Sequence, residues 1–505
     1  MMKSIPKSKT GINGLDEITE GGLPQGRPTL ICGGPGCGKT LMALEFIVKG
    51  ATLYDEPGVF MAFEEKADEL SANVASLGFD LEKLQRNKKL RLDYVHIKAS
   101  EIEETGEYDL DGLFIRLGHA IDSIGAKRVV LDTIENLFAG LSSQGILRAE
   151  LRRLFQWLKE KGVTAIITGE KGEGALTRHG LEEYVSDCVI VLDHRIINQI
   201  STRRLRIVKY RGSIHGTNEY PFLIDEEGIT VLPVTSLKLD KAVSSQRVST
   251  GIPTLDQMFG GKGFFRGSSI LLSGSAGTGK TSIAANFANE TCRRKGKCIF
   301  FAFEESPQQI IRNMRSIGLG LDQHVKKGLL QFHSFRPGLY GLEMHLAKMY
   351  RLVKKFKPHA VIVDPITNLV SVGLLNDVNS MLLRLVDHLQ NEGITLMLTA
   401  LNSGATEHID ENVSSLVDAW LLVRDVETDG ERNRALYIMK SRGMKHSKEV
   451  REFIISSKGL NLVDVYRGPE GVHIGSAREA KEKEAMANGK QNGRGHFRAP
   501  ANKIR

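Results

Sequence analysis

One pattern, G-x-x-x-x-G-K-[ST], occurs twice in this chain, at residues 33–40 (GGPGCGKT) and 274–281 (GSAGTGKT). Glycines at these spacings let successive backbone N–H groups turn inward into an anion-binding nest. A helix that follows presents its positive N-terminus to the same anion. Short β-prone runs precede both copies (residues 28–32 and 269–273), and helical stretches follow them (residues 41–49 and 282–294). Strand, loop and helix thus stand in the order a phosphate-binding loop requires. Two nucleotide sites are therefore expected. Gly34, Gly36, Cys37, Gly38 and Leu41 would line the first, and Ser275, Gly277, Thr278, Gly279 and Ser282 the second. Lys39 and Lys280 would reach the β- and γ-phosphates of ATP or GTP, and the hydroxyls of Thr40 and Thr281 would hold Mg²⁺.

A chain of 505 residues exceeds one hydrophobic core and implies two domains. No apolar run approaches the roughly 20 residues of a membrane helix, and the N-terminus lacks a signal-peptide core. Cys32, Cys37, Cys188, Cys292 and Cys298 form no metal pattern, so a reducing, cytoplasmic setting is expected. The net charge of +8 invites a nucleic-acid reading. From Arg478 onward, however, eight Lys/Arg against three Asp/Glu give +5, which leaves only +3 for the rest. A body so nearly balanced makes nucleic acid an unpromising partner without excluding it.

The two loops belong to a longer repeat. Thr10-Gly11-Ile12 with Leu15-Asp16 recurs as Thr250-Gly251-Ile252 with Leu255-Asp256, and Phe63-Glu64-Glu65 recurs as Phe303-Glu304-Glu305. Asp132 after an apolar run recurs as Asp364, and Lys209-Tyr210-Arg211-Gly212 as Lys440-Ser441-Arg442-Gly443. The offset falls from about 240 to about 231 between the Glu pair and the Asp, so one loop is shorter in the second copy. Strands alternating with helices such as residues 147–161 and 342–355 argue for α/β domains with a mostly parallel sheet. The expected boundaries are a first domain at 1–235, a polar linker at 236–246, a second domain at 247–466 and a tail at 467–505. Within the tail, residues 481–490 read as a short charged helix and 488–505 as disordered.

Each Glu pair follows an apolar strand, where a phosphate-loop fold places strand tips beside the γ-phosphate. Glu64, Glu65, Glu304 and Glu305 are therefore candidate catalytic carboxylates, and Asp132 and Asp364 candidate Mg²⁺ ligands. Lys209, Arg211, Lys440 and Arg442 are candidates for a nucleotide contact, including from a neighbouring subunit in the manner of an arginine finger. The halves differ at one informative place: Glu183-Tyr184 aligns with Ser414-Ser415, so only the second half carries adjacent hydroxyls there.

The tandem pattern, from about Thr10 to Asp464, resembles the KaiC family of clock ATPases and autokinases, and more broadly the RecA/RadA/DnaB superfamily. The resemblance implies two RecA-like domains and a hexameric double ring with ATP between subunits. It implies that Glu64 and Glu65 activate water, that Glu304 and Glu305 do the same in the second domain, and that one of the latter also acts as base toward a hydroxyl. It further implies that Lys209, Arg211, Lys440 and Arg442 reach the adjacent subunit's nucleotide, and that Ser414 and Ser415 are phosphorylated. A regulatory threonine of the family aligns with Ile409, and the tail after Val472 departs from the family's activator-binding segment. Two other readings stay open: a nucleic-acid-dependent ATPase, and a signalling scaffold whose nucleotide state gates a protein partner at the tail.

Overall fold

The computed structural model describes residues 5–95, 110–138, 144–172, 175–178, 180, 185–197, 200–233, 244–402, 413–428, 430–468 and 471–491. The chain separates into two compact units, Met1–Leu237 and Lys238–Arg505.

In the first unit a small ribbon, β1 (Lys7–Ser8) with β2 (Leu23–Pro24), precedes a nine-stranded sheet. The sheet strands are β3 (Pro28–Gly33), β4 (Gly58–Ala62), β5 (Leu90–Tyr94), β6 (Arg128–Asp132), β7 (Thr164–Glu170), β8 (Cys188–Ile197), β9 (Ile200–Tyr210), β10 (Glu219–Asp225) and β11 (Gly228–Val231). Their order is β11-β10-β9-β8-β3-β7-β6-β4-β5. The strands β3 to β8 run parallel, and β9 to β11 return antiparallel.

The second unit repeats this plan. Ribbon β12 (Arg247–Val248) with β13 (Phe264–Phe265) precedes β14 (Ser269–Gly274), β15 (Cys298–Ala302), β16 (Leu330–Ser334), β17 (Ala360–Asp364), β18 (Thr395–Leu401), β19 (Ala419–Thr428), β20 (Glu431–Ser441), β21 (Arg451–Ser456) and β22 (Gly459–Asp464). Read from the β22 edge, the order is β22-β21-β20-β19-β14-β18-β17-β15-β16, the same path strand for strand. Even the irregularity recurs: the β8/β9 register slips at Val189/Ile190, and β19/β20 slips at Trp420/Leu421.

The central strands β3, β4, β6, β14, β15 and β17 are buried along their whole length, as expected of parallel strands covered on both faces. One set of helices, including Lys39–Leu53 and Lys280–Arg293, packs on one face, and Gln144–Glu160 and Leu375–Asn391 pack on the other, so each sheet has a hydrophobic cluster on each side. The T-G-I-x-x-L-D repeat is a local brace: Asp16 Oδ1 accepts from the Thr10 N–H (2.8 Å) and hydroxyl (2.7 Å), and Asp256 Oδ1 from those of Thr250 (both 2.8 Å). Gly11 and Gly251 sit at φ of 74° and 80°, where a side chain is strained.

The C-terminal tail carries more structure than its composition suggests. Strands β23 (Tyr466–Gly468) and β24 (Gly471–His473) pair, and a helix spans Ser476–Gln491, which runs into the stretch expected to be disordered. Its first turn is tied to the second unit by Arg478, whose Nε donates to Glu452 Oε2 at 2.8 Å. Short strands of this kind have too few alternating residues to register as a pattern. Glu183, Tyr184, Ile409, most of the linker and everything after residue 491 lie outside the described residues. Among the described residues, no helix is long and apolar enough to cross a membrane.

Candidate nucleotide sites

Each glycine-rich loop leaves the C-terminal end of a central strand and enters a long helix, Lys39–Leu53 after β3 and Lys280–Arg293 after β14. That is where open α/β sheets bind ligands. Gly38 and Gly279 form the helix N-caps at φ of 102° and 95°. A Cβ there would meet Ile224 Cδ1 at 2.8 Å in the first unit and Ile455 Cδ1 at 2.7 Å in the second. Gly34, Gly36 and Gly277 have open space instead, so backbone N–H groups are accessible to an anion. Cys37 and Thr278 point inward. Cys37 is buried, which pushes its thiol pKa up, and Thr278 Oγ1 donates to the Ser275 carbonyl at 2.9 Å. Both therefore offer a phosphate only their backbone. Lys39 Nζ donates to the Gly33 and Gly34 carbonyls (2.9 and 3.2 Å), and Lys280 Nζ to those of Gly274 and Ser275 (2.8 and 2.6 Å), so each ammonium lies across the mouth of its loop. Leu41 and Ser282 begin the helix beyond; Leu41 packs against the core, and Ser282 lines the second cleft.

Asp132 and Asp364 end the strands β6 and β17 beside these loops. Both are buried, which pushes their carboxyls up, and both are hydrogen-bonded by two hydroxyls that oppose the rise: Thr168 and Thr40 for Asp132, Thr399 and Thr281 for Asp364. The threonine of the loop and the aspartate of the strand thus converge. One hydroxyl and one carboxylate, both hard oxygen donors, fit Mg²⁺, which takes few protein ligands and completes its shell with phosphate and water.

The Glu pairs follow β4 and β15. Phe63 and Phe303 donate their N–H groups to the carbonyls of Asp132 and Asp364, both at 2.8 Å, so the strand end that carries the glutamates is locked to the aspartate strand. Glu64 is exposed and its charge acts on Asp132. In the second unit Glu304 and Glu305 border a cleft of about 400 Å³ with Lys280, Thr281 and Asp364. Burial, then the charges of Asp364 and Glu304, push the Glu305 carboxyl above its ordinary range. Ile310, Met314, Ile317 and Ile455 also line this cleft and give it an apolar wall. The repeat offsets place Leu70, Val74, Leu77 and Ile224 at the same positions in the first unit. Sequence reasoning missed this wall, because ordinary aliphatic residues carry no motif. It also missed Arg203, whose Nη2 approaches the Gly36 carbonyl at 3.5 Å from β9.

Lys209, Arg211, Lys440 and Arg442 do not join these clusters. Gly274 at the loop is level with Val423, which pairs with Leu436, whereas Ile270 is level with Ala419, which pairs with Ser441. Lys440 and Arg442 therefore sit at the opposite end of the sheet, about four residues or ~13 Å along the strand from their own chain's loop. The first unit is alike: Gly33 is level with Leu192, while Lys209 pairs with Val189. Ser414 and Ser415 lie at that same far end, in a helical turn (413–416) before β19. Lys440 Nζ donates to the Ser414 carbonyl, and Arg442 Nη2 donates to that of Ser415 at 2.8 Å.

Two RecA-like sheets, each with a phosphate loop, an acidic strand end and a carboxylate pair, define a tandem P-loop ATPase. Comparison with known proteins narrows this class. Residues 8–236 and 248–466 each match the family described as "ATPase: KaiC". The chain is 56% identical, over 97% of its length and 87% of the relative's, to the circadian clock protein KaiC2 of Synechocystis sp.. It is 37% identical to the circadian clock oscillator protein KaiC of Parathermosynechococcus lividus, over 94% of this chain and 88% of that one. For the KaiC of Synechococcus elongatus the figures are 36%, 94% and 92%. The chain belongs to the KaiC family of nucleotide-binding ATPases.

Proposed function

We propose that this ATPase works as a homo-hexameric ring in which the first unit hydrolyses ATP and the second also transfers the γ-phosphoryl group to Ser414 and Ser415 of the neighbouring subunit. One observation carries the reading: the phosphate loop and the Lys440/Arg442/Ser414/Ser415 group occupy opposite ends of one sheet. A chain built this way cannot bring its own acceptor to its own loop, but a closed head-to-tail ring brings one subunit's far end to the next subunit's loop.

Lys280 neutralises the phosphates, and Thr281 and Asp364 would hold Mg²⁺, which when bound draws off the charge that builds on the phosphate oxygens. Glu305, its basicity raised by burial and by the charges of Asp364 and Glu304, takes the serine proton as the serine oxygen bonds to the γ-phosphorus. The bond from that phosphorus to the β–γ bridging oxygen breaks, and ADP carries the electron pair away. In the first unit Glu64 or Glu65 takes the proton of the attacking water. Lys209, Arg211, Lys440 and Arg442 act across the subunit boundary.

Native mass spectrometry with phosphosite mapping, after incubation in Mg-ATP and in Mg-ADP, tests this. The expected outcome is a six-subunit mass with phosphate on Ser414 and Ser415 in ATP alone. Unmodified serines in a hexamer that hydrolyses ATP would refute the kinase step.

A further inference from the structure

The two carboxylate pairs are held differently, although the same asparagines surround them. In the first unit Asn136, on the turn after Asp132, donates through Nδ2 to Glu64 Oε1 at 2.9 Å. Asn73, on the helix Ala67–Ala75, donates to Glu65 Oε2 at 3.2 Å. A carboxylate only accepts, so the amide nitrogen must be the atom facing it. The repeat offsets place Asn368 and Asn313 at the same positions in the second unit. There Asn368 Nδ2 turns to the Phe303 carbonyl at 3.3 Å, and Asn313 Oδ1 accepts from Arg312 Nε and Nη2 at 3.2 and 3.0 Å. Ala72 stands where Arg312 does, so Asn73 has no arginine beside it in sequence to turn its amide oxygen. Among the described residues, no side-chain tether holds Glu304 or Glu305.

We infer that Asn136 and Asn73 are positioning residues that fix the Glu64–Glu65 carboxylates for attack by water, and that loss of both tethers leaves the second pair mobile enough to serve a serine hydroxyl as well. The inference rests on the reading of these glutamates as bases. A water molecule has no anchor of its own, so the carboxylate that receives its proton must define the line of attack. A serine arrives on a peptide that already supplies its orientation, and a tethered base would have to match that approach.

Steady-state ATP hydrolysis by the full-length protein tests the inference, with Glu304→Gln and Glu305→Gln present in every sample to confine turnover to the first site. Asn136→Ala should lower kcat about tenfold with KM for ATP within about twofold, the pattern of a group that acts only in the transition state. Asn136→Asp keeps the shape and turns an acceptor toward the Glu64 carboxylate, so it should lower kcat further than alanine does. Asn73→Ala should also lower kcat, while thermal midpoints stay at the parent value. An unchanged kcat, an aspartate no worse than alanine, or a loss that tracks the thermal midpoint would overturn the positioning role. Glu64→Gln combined with Glu65→Gln in the same background separates the two failures. If it leaves hydrolysis intact, the underlying reading is wrong; if it abolishes hydrolysis while the asparagine variants do nothing, only the tether is wrong.

Discussion

Arg128 is the most informative single residue for the first unit's stability. It opens β6, the strand that ends in Asp132, and its side chain is 1% exposed. Its Nε donates to Glu56 Oε2 at 2.7 Å, Nη1 to the Phe46 carbonyl at 2.8 Å and Nη2 to the Lys9 carbonyl at 2.7 Å. The guanidinium also lies 4.3 Å from the Phe46 ring centroid and 5.3 Å from that of Tyr54. One side chain thus joins the aspartate strand, the helix behind the phosphate loop and the N-terminal segment. Burial pushes its pKa down, and the Glu56 carboxylate opposes this by compensating the guanidinium charge. Arg128→Ala leaves the Phe46 and Lys9 carbonyls without their donor and empties a buried space beside the Phe46 ring, while Glu56, 30% exposed, can turn to water; the combined cost is about 3–5 kcal/mol. For a unit spanning Met1–Leu237, Arg128→Ala should lower the thermal midpoint by about 10 °C. Differential scanning calorimetry of the full-length protein reads this directly. A fall of less than about 2 °C would mean that the pair merely offsets its own desolvation, and the reasoning would be wrong.

Two other perturbations separate the units. Lys280→Ala should abolish phosphate on Ser414 and Ser415, whereas Lys39→Ala should impair first-site hydrolysis or ring assembly; radiolabelled ATP and native mass spectrometry measure the two effects. Glu45 is buried beside β11, where the Ile229 N–H donates to its Oε2 at 2.7 Å, and burial pushes its carboxyl pKa up to about 7. A raised carboxyl binds its proton more tightly when folded. Its stabilisation is therefore complete below the ordinary carboxylate range and is lost as pH rises through about 7. Glu45→Gln, which keeps a neutral group at the place where the second unit carries Asn286, should raise the first unit's midpoint at pH 8 and change it little at pH 5. An equal change at both pH values, read from thermal melts, would contradict this.

Much of this was legible in the sequence because phosphate chemistry demands particular residues. Glycines at fixed spacing, a lysine, a threonine and a strand-end aspartate announced the loops and the fold, and duplication identified the Glu pairs. What stayed hidden was what depends on neighbours across space. Asn136 and Asn368 are the same residue at the same repeat position, and only the fold shows that one faces a carboxylate and the other a carbonyl. The T-G-I-x-x-L-D motif was visible, but its role as a brace at Asp16 and Asp256 was not. The placement of Lys440 and Arg442 at the far end of the sheet follows from the β19/β20 register, including a slip at Trp420/Leu421 that no sequence pattern marks.

Mixed rings of two variants test the proposed transfer of the phosphoryl group from one subunit to the next. Subunits carrying Lys280→Ala keep their serines and lose their second phosphate loop. Subunits carrying Ser414→Ala and Ser415→Ala keep the loop and lose the acceptors. Co-assembled in one ring and incubated with Mg-ATP, the Lys280→Ala chains alone should gain phosphate on Ser414 and Ser415, and neither variant should gain any when assembled by itself. No phosphate on either chain in the mixed ring, alongside full phosphorylation of the unmodified protein, would contradict transfer between subunits.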